Sequence, residues 1–285
     1  MGGGLNRHAV RTREILIISV QNKIKRMTKE IKIDNFSQTS YYVECLFDNL
    51  TISTGTCFFF KERDDYFLIT NWHIVTGKNP QNKTCLRKDG AIPNKIKVKI
   101  FKNSEYIEWT DLIINLQDDN FNDLWLEHSI YKEKVDVVAL KVQIPTDKLI
   151  FDIEQFIEPY NENTFAEIRD DVFIIGFPFG IKGGGEFPLW KRASIASEPD
   201  IDIDDLPKLF VDTASRPGMS GSPVIYKERR SVMIGNSSPK TATKFSRYFM
   251  QFIGVYSGRI GAENELKAQL GIVWKSSVIK EIINQ

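Results

Sequence analysis

The sequence is poor in the residues that anchor small secreted domains and metal sites. It has three cysteines, Cys45, Cys57 and Cys85, in 285 residues. An odd and sparse set supplies no disulfide framework and suits a reducing compartment, so a cytoplasmic location is expected. Histidine is equally scarce, at His8, His73 and His128. No His-Glu-x-x-His or Cys-x-x-Cys spacing occurs, so no metal and no cofactor is expected. No apolar run approaches the roughly 18 residues of a membrane span. The 38 basic and 37 acidic side chains leave a net charge of +1, which carries no global signal for nucleic acid.

That balance hides an asymmetry. Residues 1–32 hold eight Lys/Arg against two Glu. Within them Ile15-Leu16-Ile17-Ile18 follows arginines, as the apolar core of a signal peptide would. The run is too short, Gln21-Asn22-Lys23 ends it, and no small-residue cleavage site follows. Asn6 stands where a myristoylation pattern needs Ser or Thr. Residues 1–35 therefore read as a flexible basic extension, with Met27 as an alternative start. This arm is the one feature that leans toward nucleic acid or a membrane surface, and neither is expected as a partner.

From Tyr41 onward the chain alternates short β-branched and aromatic runs with turn residues. Strands are expected at 41–47, 56–60, 66–70, 95–101, 106–109 and 135–142, and again at 172–175, 189–197, 208–212, 223–226, 247–256 and 270–274. Leu149, Ile150, Ile153, Phe156 and Ile157 recur at helical spacing inside a connector. Serines start a closing helix whose apolar face is Val278, Ile279, Ile282 and Ile283. Many short strands and few helices predict an all-β barrel or sandwich. Gly183-Gly184-Gly185 lacks a following helix and is no phosphate-binding loop.

One stretch carries a chemical signal: Ser215-Arg216-Pro217-Gly218-Met219-Ser220-Gly221-Ser222-Pro223. Glycines on both sides of Ser220 let the backbone approach a ligand and turn its N–H groups toward one point, as an oxyanion hole requires. Two further stretches embed a catalytic-type residue in an apolar run. They are Thr70-Asn71-Trp72-His73-Ile74-Val75 and Val135-Asp136-Val137-Val138-Ala139-Leu140. A serine hydroxyl needs a base in reach, and the base needs a third group to fix its tautomer. His128 has no motif around it and is set aside as structural.

The order His73, Asp136, Ser220, together with Gly55-Thr56-Cys57-Phe58-Phe59-Phe60, resembles the chymotrypsin/trypsin-like serine peptidases. Within them the sequence is similar to the bacterial branch of high-temperature-requirement proteases and glutamyl endopeptidases. The resemblance implies two six-stranded antiparallel β-barrels with a C-terminal helix. Barrel one would span about 36–143, a linker 144–164, and barrel two plus the helix 165–285. It also implies a serine endopeptidase acting on polypeptides through His73, Asp136 and Ser220, with the N–H groups of Gly218 and Ser220 as oxyanion hole. The alternative is a protease-fold effector or binding module that stays latent until a regulatory protein partner orders the cleft. Secreted members bracket the histidine with a disulfide. Cys57 lies near one such position, but Ile74 follows the histidine and that bridge is excluded.

The same resemblance builds the substrate pocket from Ala214 at its base and Tyr256, Ser257, Gly258 and Arg259 along one wall. Uncharged Ala214 argues against a preference for Arg or Lys before the scissile bond. Arg259 suits an acidic residue there, and without it a medium-sized apolar one. Met219 stands where trypsin-type enzymes have an Asp that pairs with a freed α-amino group. No activating cut is therefore expected.

Overall fold

The computed structural model describes residues 31–102, 108–157, 166–214, 216–234, 243–259 and 270–285. The first half is a run of antiparallel strands: β1 (Ser40–Phe47), β2 (Leu50–Glu62), β3 (Asp65–Thr70), β4 (Lys95–Phe101), β5 (Trp109–Asn115), β6 (Trp125–Leu126) and β7 (Val138–Val142). A one-turn helix, α1 (Trp72–Thr76), follows β3. These strands form a seven-stranded sheet in the order β5-β4-β1-β2-β3-β7-β6. Six strands were expected; the two-residue β6 is the addition, paired to the edge of β7 through Trp125 and Leu126.

The second half holds β8 (Asp171–Gly176), β9 (Leu189–Ile195), β10 (Lys208–Asp212), β11 (Pro223–Ile234), β12 (Thr243–Arg259) and β13 (Leu270–Lys275), then helix α2 (Ser277–Ile283). The six strands close into a barrel in the order β10-β13-β12-β11-β8-β9. The molecule is thus all-β, with two halves of chymotrypsin type and a small C-terminal helix. Asn35–Gln285 make one unit.

Side-chain alternation explains the layers. In β4, Ile96, Val98 and Ile100 are fully buried, while Lys97 and Lys99 point outward to Glu44 and Asp111. One face of the strand therefore meets the core and the other meets water. Strand β2 behaves differently, because Cys57, Phe58, Phe59 and Phe60 are all buried. Cys57 and Phe59 fill the first-half core with Val43, Leu68 and Val138. Phe58 and Phe60 turn to a second core shared with Ile175, Ile225, Phe252, Trp274 and the α2 residues Val278, Ile279 and Ile282. A continuous apolar run is what a strand buried on both faces requires. A third core, including Ile174, Ala193, Val211 and Val224, fills the closed barrel. The middle core glues the two halves together and fixes how their facing loops meet.

Several local expectations shift. The helical spacing at 149–157 produces only a 3-10 turn at Ile153–Phe156, started by Asp152, whose carboxylate accepts from the Gln155 N–H. Strand β11 runs eight residues past its expected end at Tyr226, as a long hairpin with β12. The strand expected at 106–109 is displaced: residues 106 and 107 lie outside the described residues, and the strand found there, β5, runs over Trp109–Asn115. The basic extension over 1–30 and most of the polar segment 236–244 also lie outside them.

Candidate active site

Helix α1 presents His73. The chain leaves β3 at Thr70, and Asn71 caps the turn in an extended conformation. Gly77, in the left-handed region, closes it by donating to the His73 carbonyl at 3.0 Å. Asn71 does not cap with its side chain. Its Nδ2 instead donates to the Asp136 carbonyl at 2.6 Å, tying the turn to the segment before β7.

Asp136 precedes β7 rather than lying inside it. Val137 N–H bonds back to the Val135 carbonyl at 2.8 Å, and both valines are fully buried. This tight turn drives the Asp136 side chain inward, where the residue is 2% exposed. A buried carboxylate needs partners, and Asp136 has three. Oδ1 accepts the His73 backbone N–H at 2.9 Å. Oδ2 lies 2.6 Å from His73 Nδ1 and also accepts the Ser257 hydroxyl. The network assigns the ring proton to Nδ1 and leaves Nε2 as the basic nitrogen.

Ser220 sits on the crossing from β10 to β11. Its carbonyl accepts the Thr56 N–H at 2.9 Å, and Gly221 N–H donates to the Tyr256 carbonyl at 2.8 Å. The serine is thereby suspended between β2 and β12. Its Oγ lies 3.8 Å from the point where a Cβ on Gly258 would stand. On the other side, a Cβ on Gly55 would meet Ile74 Cδ1 at 2.7 Å and the Ser220 carbonyl at 3.4 Å. Ser220 therefore stands between the residue after His73 and the strand whose Ser257 holds Asp136. Among the described residues no hydrogen bond joins Ser220 Oγ to His73. Such bonds are commonly long in a free active site and tighten when substrate binds.

The loop before Ser220 is pinned on its carbonyl side. Pro217 O accepts the Phe179 N–H at 2.7 Å, and Gly218 O accepts the Thr56 hydroxyl at 2.8 Å. Gly218 has φ +90°, and a Cβ there would lie 2.3 Å from the Phe177 carbonyl, so only glycine fits. Met219 is 1% exposed and packs into the barrel core. With the carbonyls held, the N–H groups of Gly218 and Ser220 donate to no protein acceptor among the described residues. A family model described as a trypsin-like peptidase domain matches residues 55–235, which contain His73, Asp136 and Ser220.

The chain belongs to the trypsin-like peptidase domain family.

The chain is also similar to a solved structure of the serine endoprotease from Yersinia pestis, at 13% identity and a TM-score of 0.47, covering 90% of this chain and 67% of that one. None of the curated proteins matches it. The residues expected to line the substrate pocket of this trypsin-like peptidase domain have separate surroundings. Ala214 is exposed, and Gly258 lies beside Ser220 Oγ. Tyr256 is 1% exposed, with its ring against Gly271 and Thr213. Ser257 spends its hydroxyl on Asp136. The Arg259 backbone pairs with Gly271, while its side chain lies outside the described residues.

Two contributors were not legible as site residues. Thr56 was part of a family motif without a role. Glu127 accepts from the Trp72 indole at 2.7 Å and the Trp125 indole at 3.0 Å, which braces α1. His128 is buried and structural: its Nδ1 accepts from the Ile130 and Tyr131 N–H groups, and its Nε2 meets Glu281 on α2 at 2.9 Å. All three cysteines are free thiols. Burial pushes the Cys45 thiol up to about 11 and raises Cys57 well above the ordinary thiol value, so neither is an ionised nucleophile near neutral pH.

Proposed function

We propose that this trypsin-like peptidase domain is a serine endopeptidase that hydrolyses peptide bonds through an acyl-enzyme intermediate, with Ser220 as nucleophile. The observation that carries the reading is the double grip of Asp136 on His73, through the backbone N–H at 2.9 Å and through Nδ1 at 2.6 Å. A carboxylate held this way fixes the imidazole with Nε2 outward and stabilises the imidazolium. His73 then takes the Ser220 proton as Oγ attacks the substrate carbonyl, and returns it to the leaving amine. The resulting oxyanion is received by the Gly218 and Ser220 N–H groups. Water enters, His73 takes its proton as the oxygen attacks the ester, and returns that proton to Ser220 Oγ as the acyl bond breaks.

Within the family we place the chain with the bacterial branch of high-temperature-requirement proteases and glutamyl endopeptidases. Apolar Met219 before the serine supports this, because an amine-triggered ion pair has no acid to use there. The three free thiols suit a cytoplasmic enzyme. A form in which a regulatory protein partner tightens the cleft before turnover is the alternative outcome of the test.

The test is labelling with a fluorophosphonate followed by peptide hydrolysis. Wild type is expected to label and cleave, and Ser220→Ala and His73→Ala to lose several orders of magnitude in turnover. Near-normal hydrolysis by Ser220→Ala would overturn the assignment. Labelling that appears only with an added cell extract would select the partner-dependent form.

A further inference from the structure

The closed barrel contains an inward-facing lysine. Lys191 of β9 pairs with Ile174 of β8, as Ala193 two residues on pairs with Val172. Directly opposed residues of antiparallel strands share a face. Ile174, Val172, Ala193 and Ile195 are all buried in the barrel core, so Lys191 points inward with them. The pairing of β9 with β10 ends at Asp212 opposite Ser194. Beyond that point Lys191 faces the segment leading to Ser220, and its Nζ donates to the Thr213 hydroxyl.

Thr213 connects this ammonium to the strip on the other side of the nucleophile. A Cβ on Gly271 would meet Thr213 Cγ2 at 3.2 Å, Tyr256 OH at 3.1 Å and Tyr256 Cε2 at 2.5 Å. Tyr256 leads directly into Ser257 and Gly258, which pass Asp136 and Ser220 Oγ. Thr213, ahead of Ser220, and Tyr256, ahead of Gly258, therefore meet at Gly271. Lys191 closes that junction from inside the barrel.

Among the described residues Lys191 makes no salt bridge. Burial lowers its pKa first, the Arg216 charge adds to that, and Asp212 partly offsets both. A half-buried cation without a carboxylate partner is unfavourable, and an aliphatic side chain on this inward face would avoid the penalty. An anion arriving with the substrate would complete it.

We propose that Lys191 is a specificity-determining residue that binds the side-chain carboxylate of a Glu or Asp immediately before the scissile bond. The proposal rests on the reading of Ser220 as nucleophile. Arg259 left an acidic or an apolar residue open at this position; the inward ammonium of Lys191 selects the acidic one.

The experiment uses the full chain in two arms. In the first, fluorogenic peptides differing only in Glu, Gln, Leu or Lys before the bond are compared for wild type, Lys191→Met and Lys191→Gln, with fluorophosphonate titration of active sites. Wild type is expected to favour Glu over Gln by at least about tenfold in kcat/KM, as expected when a charged hydrogen bond is lost. Both variants should lose that preference while cleaving the Gln peptide and labelling Ser220 at nearly the wild-type rate. In the second arm, equilibrium binding of product-like peptides ending in Glu or Gln is measured on Ser220→Ala and on Ser220→Ala/Lys191→Gln. This arm needs no catalysis and separates failure of the pocket from failure of the nucleophile. A wild-type profile without acidic preference, variants that retain one, or equal binding of the two peptides to Ser220→Ala would each overturn the role of Lys191.

Discussion

Ser257 donates its hydroxyl to Oδ2 of Asp136, the same oxygen that holds His73 Nδ1. The two residues are 121 positions apart, and their bond ties β12 of the closed barrel to the segment before β7 in the first half. The histidine is thus aligned by both halves of the molecule. Ser257→Ala keeps the fold and removes one of the three bonds on a buried carboxylate. A hydrogen bond to a charged group contributes about 1.5–3 kcal/mol. We expect kcat to fall roughly ten- to a hundredfold with KM nearly unchanged, since substrate binding does not use this bond. Unchanged kcat in steady-state assays would show that Asn71 and the His73 backbone suffice to hold Asp136.

Thr56 sets the oxyanion loop from the first half. Its hydroxyl donates to the Gly218 carbonyl at 2.8 Å and its N–H to the Ser220 carbonyl at 2.9 Å. Thr56→Val preserves shape and the N–H but leaves the Gly218 carbonyl without its partner. Stability should drop by about 1–3 kcal/mol, the penalty for an unsatisfied buried acceptor. Turnover should fall by more than tenfold, because a peptide free to rotate no longer fixes the Gly218 N–H; one lost oxyanion donor is worth ~3 kcal/mol. Thermal unfolding and kcat measured on the same preparation check both.

Met219 makes the loop independent of an α-amino group. It is 1% exposed in the barrel core and has no charge to pair. Full-length protein and a chain starting at Met27 are expected to give equal turnover per titrated active site. Met219→Ala is expected to lose about 2–5 kcal/mol of stability, as buried methionines do. An N-terminal cut that raised turnover by orders of magnitude, with the gain abolished by acetylating the new amine, would refute this account.

The Lys191 charge gives the specificity a pH dependence. Its pKa is lowered by burial, then by Arg216, against the raising effect of Asp212. The folded chain therefore binds this proton less tightly than the unfolded chain. The group destabilises the fold while charged, and the penalty is relieved as pH rises through the lowered pKa. Recognition of a carboxylate runs the opposite way, because it needs the charged form. The ratio of kcat/KM for a Glu peptide over its Gln counterpart should be flat near neutral pH and decline in alkali, starting below the ordinary lysine range. A flat ratio into the range of free lysine would mean that another group reads the substrate.

Much of this molecule follows from local pattern. Alternation at Lys95-Ile96-Lys97-Val98-Lys99-Ile100 specifies a half-buried strand because side chains of a strand point to opposite faces. The residue types and chain order of His73, Asp136 and Ser220 identify the candidate triad, since the chemistry demands those groups and each lies in a short readable motif. What depended on distance in sequence was not legible. The placement of Asp136 just before β7 rests on a bond between Val137 and Val135 and on three side-chain bonds from two elements, α1 and β12. Ser257 is expected as pocket wall, yet its hydroxyl serves Asp136, at the point where the register of β12 against β13 shifts between Tyr256 and Gly258. Lys191 carries no motif at all. A lysine in a strand reads as an outward residue, and only closure of the barrel, which decides the face of β9 turned inward, puts its charge beside Thr213. Sequence determined the chemistry available; pairing register and the packing of two halves decided which groups meet.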